Sequence, residues 1–218
     1  RGMRNLLVGT DGKRQCFFGG GKVLHRRKHY QNVRASLQSR KALKPTRSVR
    51  RRLARLGDRE ARFMKDTDHC VSKQFVAFVA KSGSPTIALE GLAGIRESSL
   101  DKGRWFRSEI HKWSYYRLGL FITYKANDRG FTTLPIEAAY TSQGCSRCGY
   151  TAAANRKGLL FHCKACGFQL HSDLNGARNI RLRGILARQA LAGLGSLSLT
   201  PKVPIRSGQA TTIAPLGV

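Results

Sequence analysis

The chain has 218 residues, with 40 Lys or Arg against 12 Asp or Glu, a formal net charge of +28, and 41% hydrophobic residues. That size supports one substantial domain plus a small module. The charge points to a polyanionic partner, most commonly nucleic acid. It argues against a membrane, since no apolar run approaches the roughly 18–20 residues that span a bilayer, and no signal-peptide, lipidation or amphipathic-anchor pattern is present.

Arg4 to Thr10 is a short apolar run ended by Asp11-Gly12, a hairpin signal, and Gln15 to Phe18 reads as the returning strand. Gly19-Gly20-Gly21 then turns the chain, and Lys22 to Leu24 is expected as the third strand of an antiparallel meander. From Arg26 to about Ala80 the texture is helical, in two arms divided by Pro45. The second arm carries Val49, Leu53, Leu56, Phe63 and Met64 at helical spacing, then Val71, Phe75, Phe78 and Val79, and Ser82-Gly83-Ser84-Pro85 stops it. Thr86 to Glu90 is a buried-type strand that ends on a carboxylate, and 91–103 reads as a loop. Trp105 to about Tyr124 reads as an amphipathic helix. Its Trp105, Trp113, Tyr115, Tyr116 and Phe121 fit core packing better than base stacking. Thr132 to Ala138 is another strand, Ser172 an N-cap for a helix to about Leu186, and 193–218 a tail with the composition of disorder.

Three strands, helix, strand, helix, strand and helix is the order of an RNase H-like (RuvC) α/β domain, with a mixed sheet and long basic helices. The expected division is a core over 1–140, a zinc ribbon inserted over 141–170, the last core helix over 171–192, and the tail.

The inserted module carries the strongest signal. Cys145 and Cys148, then Cys163 and Cys166, form two pairs, each with two residues between the thiols and each followed by glycine. This spacing suits one tetrahedral Zn²⁺ held by four thiolates, a structural site with no open position for catalysis. His162 and His171 flank the second pair, but four cysteines suffice. Cys16 and Cys70 stand alone and read as buried thiols of a protein from a reducing compartment.

Glu90 at a strand end and Asp173 in the first turn of a helix are the candidate catalytic carboxylates. In an RNase H-like fold these places converge at one end of the sheet, where oxygen ligands hold Mg²⁺ or Mn²⁺ for two-metal phosphodiester hydrolysis. Read alone, Glu90 serves equally as a surface acid, and Asp173 as a partner of the helix dipole. Arg50, Arg51, Arg52, Arg55, Arg59 and Arg62 recur on helical faces with only Asp58 and Glu60 nearby, a pattern for phosphate contact. Arg178, one turn past Asp173, suits either a scissile phosphate or a salt bridge.

Thr141-Ser142-Gln143-Gly144-Cys145-Ser146-Arg147-Cys148-Gly149, Cys163-Lys164-Ala165-Cys166-Gly167 and Asp173-Leu174-Asn175-Gly176-Ala177-Arg178-Asn179-Ile180 resemble the zinc ribbon and last catalytic motif of the TnpB (OrfB) family. These are insertion-sequence proteins related to type V CRISPR effectors. Ala88-Leu89-Glu90-Gly91-Leu92 resembles the family's middle RuvC motif, and Arg1 to Leu6 the segment just after its first motif. The resemblance implies an RNA-guided, Mg²⁺-dependent DNA endonuclease with an Asp, Glu, Asp triad. Its partners would be DNA and a guide RNA from the same locus, and the protein would be a monomer in a prokaryotic cytoplasm, associated with the nucleoid. Glu90 and Asp173 take the second and third places. The family's first aspartate falls just before Arg1, so the expectation is a fragment or decayed frame that is weak or inactive as a nuclease, the alternative being a guide-directed binder without cleavage. Asp11 is not expected to substitute, since nine strand residues beyond Gly2 put it about 30 Å from the sheet's other end.

Overall fold

A computed structural model describes residues 4–43, 46–83, 86–91 and 115–193. Strands β1 (Asn5–Thr10) and β2 (Gln15–Gly19) form an antiparallel hairpin, with Thr10 opposite Gln15 and Leu7 opposite Phe18. Asp11 fixes its turn, accepting at Oδ1 from the backbone N–H groups of Lys13 (2.9 Å) and Arg14 (2.6 Å). Gly12, at φ +99°, takes the left-handed position. A register shift between Asn5 and Leu7 lets the consecutive Leu6 and Leu7 both bury, which regular alternation forbids.

The expected third strand does not form. Helix α1 (Gly21–Leu43) begins there, because Val23, Arg27, Tyr30 and Leu37 recur at helical spacing and all bury. Helix α2 (Arg47–Ala80) is capped by Thr46, whose Oγ1 accepts from Val49 N–H at 3.3 Å. The two helices meet through Tyr30, Leu37 and Leu56. Glu60 of α2 ties them further, pairing with Arg34 at 2.6 Å and Arg27 at 4.0 Å.

Strands β3 (Thr86–Gly91) and β4 (Thr132–Glu137) are parallel, with Glu90 beside Ile136, and are connected through α3 (Tyr115–Asn127). Leu118, Ile122 and Ala126 of α3 pack with Val71, Phe75 and Val76 of α2 and with Leu7 and Ile87 of the strands, forming the main core. Trp105, Trp113 and the first half of the expected aromatic helix lie outside the described residues, as does 194–218. Phe121 is buried as expected, but Tyr116 is 82% exposed: α3 turns that face outward while Leu118 and Ile122 face α2. Cys70 is likewise exposed, not buried.

The sheet also differs from expectation. Among the described residues β1–β2 and β3–β4 are separate two-stranded sheets. A cleft of about 420 Å³ opens between β1 and β3, with α2 residues on one wall and the last helix, α4 (Ser172–Gly193), on another. At Gly184 of α4 an added Cβ would come within 2.6 Å of the Ala88 side chain, so the helix can approach β3 there only as glycine. The fold is mixed α/β, and among the described residues no helix is long and apolar enough to cross a membrane.

Candidate metal centre and catalytic cleft

The two cysteine pairs build matching knuckles. In the first, Cys145 N–H donates to Tyr150 O and Gly149 N–H to Cys145 O. In the second, Cys163 N–H donates to Phe168 O and Gly167 N–H to Cys163 O. Gly149 and Gly167 hold φ of +79° and +69°, the conformation glycine enters without strain. The knuckles are joined by a small sheet of β5 (Arg156–Lys157), β6 (Leu160–His162) and β7 (Gln169–His171). Phe161, fully buried, packs under Cys145 and Cys163.

This places all four sulfurs within 4.8 Å of one another. Cys145 and Cys166 are 3.8 Å apart, and Cys148 and Cys163 are 3.6 Å apart. A tetrahedron with Zn–S bonds of about 2.3 Å has edges of about 3.8 Å, so the donor set and its spacing fit Zn²⁺. Burial pushes the Cys163 thiol up, but the N–H groups of Cys166 and Ala165 and the neighbouring thiols outweigh it and bring it down to about 6. At Cys148 the Tyr150 backbone lowers the pKa, yet crowding by the Cys166, Cys163 and Cys145 thiols and burial leave it at about 12. Four sulfurs this close hold thiolate and thiol forms side by side, and a divalent cation removes that conflict by displacing the remaining protons.

Three asparagines anchor the module, of which Asn155 and Asn175 are fully buried. Asn155 links the two knuckles, its Nδ2 donating to Gln143 O and Tyr150 O and its Oδ1 accepting from Lys164 N–H. Asn175 of α4 accepts from Ser146 N–H at 3.0 Å and donates to Gly144 O at 2.7 Å. Asn179, one turn on, donates to Thr141 O and Gly144 O. Asparagine is a poor residue for a helix interior, and two of them four apart were a legible sign that this helix face had other work.

Helix α4 follows β7 directly. Ser172 is its first helical residue and its hydroxyl donates to Gly158 O, so it is not the cap. His171 caps instead, its Nδ1 accepting from Asp173 N–H at 3.2 Å while Phe17 meets its ring edge-on. Asp173 thereby stands in the first turn. Asn5 Nδ2 donates to its Oδ2 at 2.8 Å, and an Arg156 guanidinium nitrogen lies 3.4 Å from its Oδ1.

Glu90 and Asp173 line the same cleft, whose apolar wall includes Leu7, Phe75, Ile87 and Ile180. Arg156, Arg181 and Arg188 line it too; Arg178 does not and has no ion pair among the described residues. Sequence reasoning missed Arg156 and Asn5, since neither lies in a spaced motif near Asp173. Asp11 also reaches the cleft, but its carboxylate is held in the hairpin turn, and hydrogen bonds from the Arg14 backbone lower its pKa. Neighbouring Gly12 abuts Arg181, eight residues along α4 from Asp173 and about 12 Å of helix rise away.

Arg50, Arg51, Arg52, Arg55, Arg59 and Arg62 are all exposed on α2 and lie in no ion pair among the described residues. Glu60 does not neutralise them, because it faces α1. Arg51, Arg55, Arg59 and Arg62 fall on one stripe, about 6, 6 and 4.5 Å apart along the axis.

Taken together, the chain is a basic α/β protein with a four-cysteine centre fixed beside a carboxylate-bearing cleft. Residues 115–180 match the Cas12f1-like TNB domain family. The chain is 39% identical over 134 residues to the CRISPR-associated endodeoxyribonuclease Cas12f1 of Sulfoacidibacillus thermotolerans, covering 61% of this chain and 30% of that protein. It is 28% identical over 152 residues to the TnpB-like protein MJ0751 of Methanocaldococcus jannaschii, covering 70% of this chain and 54% of that one. Its fold matches that of a Cas12f1–sgRNA–target DNA complex with a TM-score of 0.64 at 21% identity, over 82% of this chain and 47% of that one. The chain is a TnpB-like relative of the type V effectors, and it spans about a third of the length of this Cas12f1.

Proposed function

We propose that this chain is the RuvC-like catalytic part of a transposon-associated, RNA-guided DNA endonuclease of the TnpB type. The observation that carries the reading is that Glu90 and Asp173, far apart in sequence, line one cleft. The order β1, β2, α1, α2, β3, α3, β4, then α4 supports an RNase H-like core over 1–140 and 171–192, split by a zinc ribbon at 141–170.

In this reading Glu90 and Asp173 supply hard oxygen ligands suited to Mg²⁺ or Mn²⁺, which when bound activate water and stabilise the leaving oxygen. Asn5 orients the Asp173 carboxylate. Arg156 balances its charge and faces the position of a scissile phosphate. The arginines of α2 hold the backbone of DNA or of a guide–target duplex, while base pairing reads sequence. Partners are DNA and a guide RNA from the same locus. The protein works as a monomer in a prokaryotic cytoplasm, at the nucleoid.

The alternative is a guide-directed binder without cleavage. It is favoured by the engagement of both Asp173 oxygens, with Asn5 and with Arg156, and by the turn-bound state of Asp11. The test is the chain with its native upstream region, a transcript from its own locus, target DNA and Mg²⁺. Cleavage lost in Glu90→Gln and in Asp173→Asn supports the nuclease; cleavage that survives either change overturns the site. Guide-dependent binding with no cleavage in the unmodified protein selects the alternative.

A further inference from the structure

Tyr140 sits in a backbone conformation suited to glycine or asparagine, and its side chain is unused by the fold. Its φ is +59°, and it is the one non-glycine residue with positive φ among the described residues. Ala138 to Thr141 form a turn closed by Thr141 N–H donating to Ala138 O at 3.2 Å, with Tyr140 at the third position, where positive φ selects glycine or asparagine. The Thr141 hydroxyl donates to the same carbonyl at 2.9 Å. On the other side, the Tyr140 carbonyl accepts from Gln143 N–H and Gly144 N–H at 3.0 and 2.9 Å. The backbone is therefore fixed from both directions.

The ring takes no part in that fixing. It is 67% exposed, with no hydrogen bond or ring contact among the described residues. Backbone held by its surroundings in a disfavoured region concentrates at functional sites. Its position agrees, for the next two residues, Thr141 and Ser142, line the cleft that holds Glu90 and Asp173. Arg183 of α4 donates to Glu137 O at 2.9 Å, three residues before Tyr140 in the chain.

We propose that Tyr140 is a stacking site for one unstacked base of a single-stranded nucleic acid that enters the cleft. The net charge of +28 selects a polyanion over a protein surface of ordinary charge, and an exposed ring accepts the π face of any base. The proposal rests on the cleft being a nucleic-acid site.

The test is binding without chemistry. The 218-residue chain carrying Glu90→Gln, with its cysteine-bound zinc retained and no Mg²⁺ or Mn²⁺ added, is titrated with a labelled single-stranded DNA 12-mer at several salt concentrations. Tyr140→Asn, which suits the left-handed backbone, weakens binding about 5- to 150-fold, the effect of losing one stacked base. Tyr140→Phe binds within about twofold of the parent, and the slope against log salt stays unchanged, because no phosphate contact is lost. On an abasic strand of equal length the parent and Tyr140→Asn bind alike, and Tyr140→Asn melts at or above the parent. An equal loss on the abasic strand, a changed salt slope, no loss at all, or a lower melting temperature for Tyr140→Asn overturns the stacking site. A chain that binds no oligonucleotide sinks the nucleic-acid reading as a whole; one that binds with Tyr140→Asn at full strength sinks only this proposal.

Discussion

Asn175→Ala tests whether the cysteine module and α4 behave as one unit. Asn175 is fully buried and makes two hydrogen bonds to the first knuckle. Gly144 O keeps a second donor, Asn179 Nδ2 at 2.7 Å, so its loss is a single bond of about 1 kcal/mol. Ser146 N–H is left buried without its acceptor, a cost of about 1–3 kcal/mol. Alanine returns about 0.6 kcal/mol of helix propensity. The net is a destabilisation of about 1.5–3.5 kcal/mol, or roughly 3–14 °C in Tm for a chain of this size. Because Ser146 lies between two ligands, metal retention falls as well, by about 10- to 100-fold, as for other groups that orient ligands. The assay pairs thermal melting with zinc release to a chromogenic chelator. Asn175→Asp, which keeps the acceptor for Ser146, falls between alanine and wild type, and Cys145→Ser loses the metal outright. A melting point within 1 °C of wild type and unchanged zinc release in Asn175→Ala would refute the coupling.

Two other outcomes follow from the geometry. Each alanine at Arg51, Arg55, Arg59 or Arg62 reduces the slope of log affinity against log salt by about 0.9 on duplex or 0.7 on single-stranded DNA; slopes unchanged in the quadruple variant would show that α2 does not contact the strand. Burial raises the Cys16 thiol to about 11, despite hydrogen bonding to Gly9. The unfolded chain therefore releases this proton first, near pH 9, and stability falls between about pH 9 and 11. Cys16→Ala removes that decline, seen as a difference between the two chemical-denaturation curves, and a constant difference across this range would contradict the assignment.

The chain pattern made legible what depends on spacing. The four cysteines, the strand carrying Glu90, the helix with Asp173 in its first turn and the two basic arms follow from periodicity and turn residues near one another in sequence. The third strand failed because three glycines marked a turn, while Val23, Arg27 and Tyr30 set a helical period that wins once α2 is there to pack against. Ser172 failed as a cap because Gly158 O, brought close by the module, captures its hydroxyl, and a histidine ring takes the vacant role. Arg156 and Asn5 were beyond reach: each approaches Asp173 only after the module and the hairpin dock on the same helix. The cleft in place of a continuous sheet has the same character, since strand composition does not record which edges meet.

No spacer separates β7 from α4: His171 closes the module and Ser172 opens the helix. A change in the angle of the knuckles is therefore delivered undamped to the residue that follows. One consequence is for tolerance of length change. One residue inserted between His171 and Ser172 would rotate the Asp173 carboxylate by about 100° around the helix axis. The four-cysteine module thus acts as a gauge block, setting the aim of a carboxylate that none of its cysteines touches.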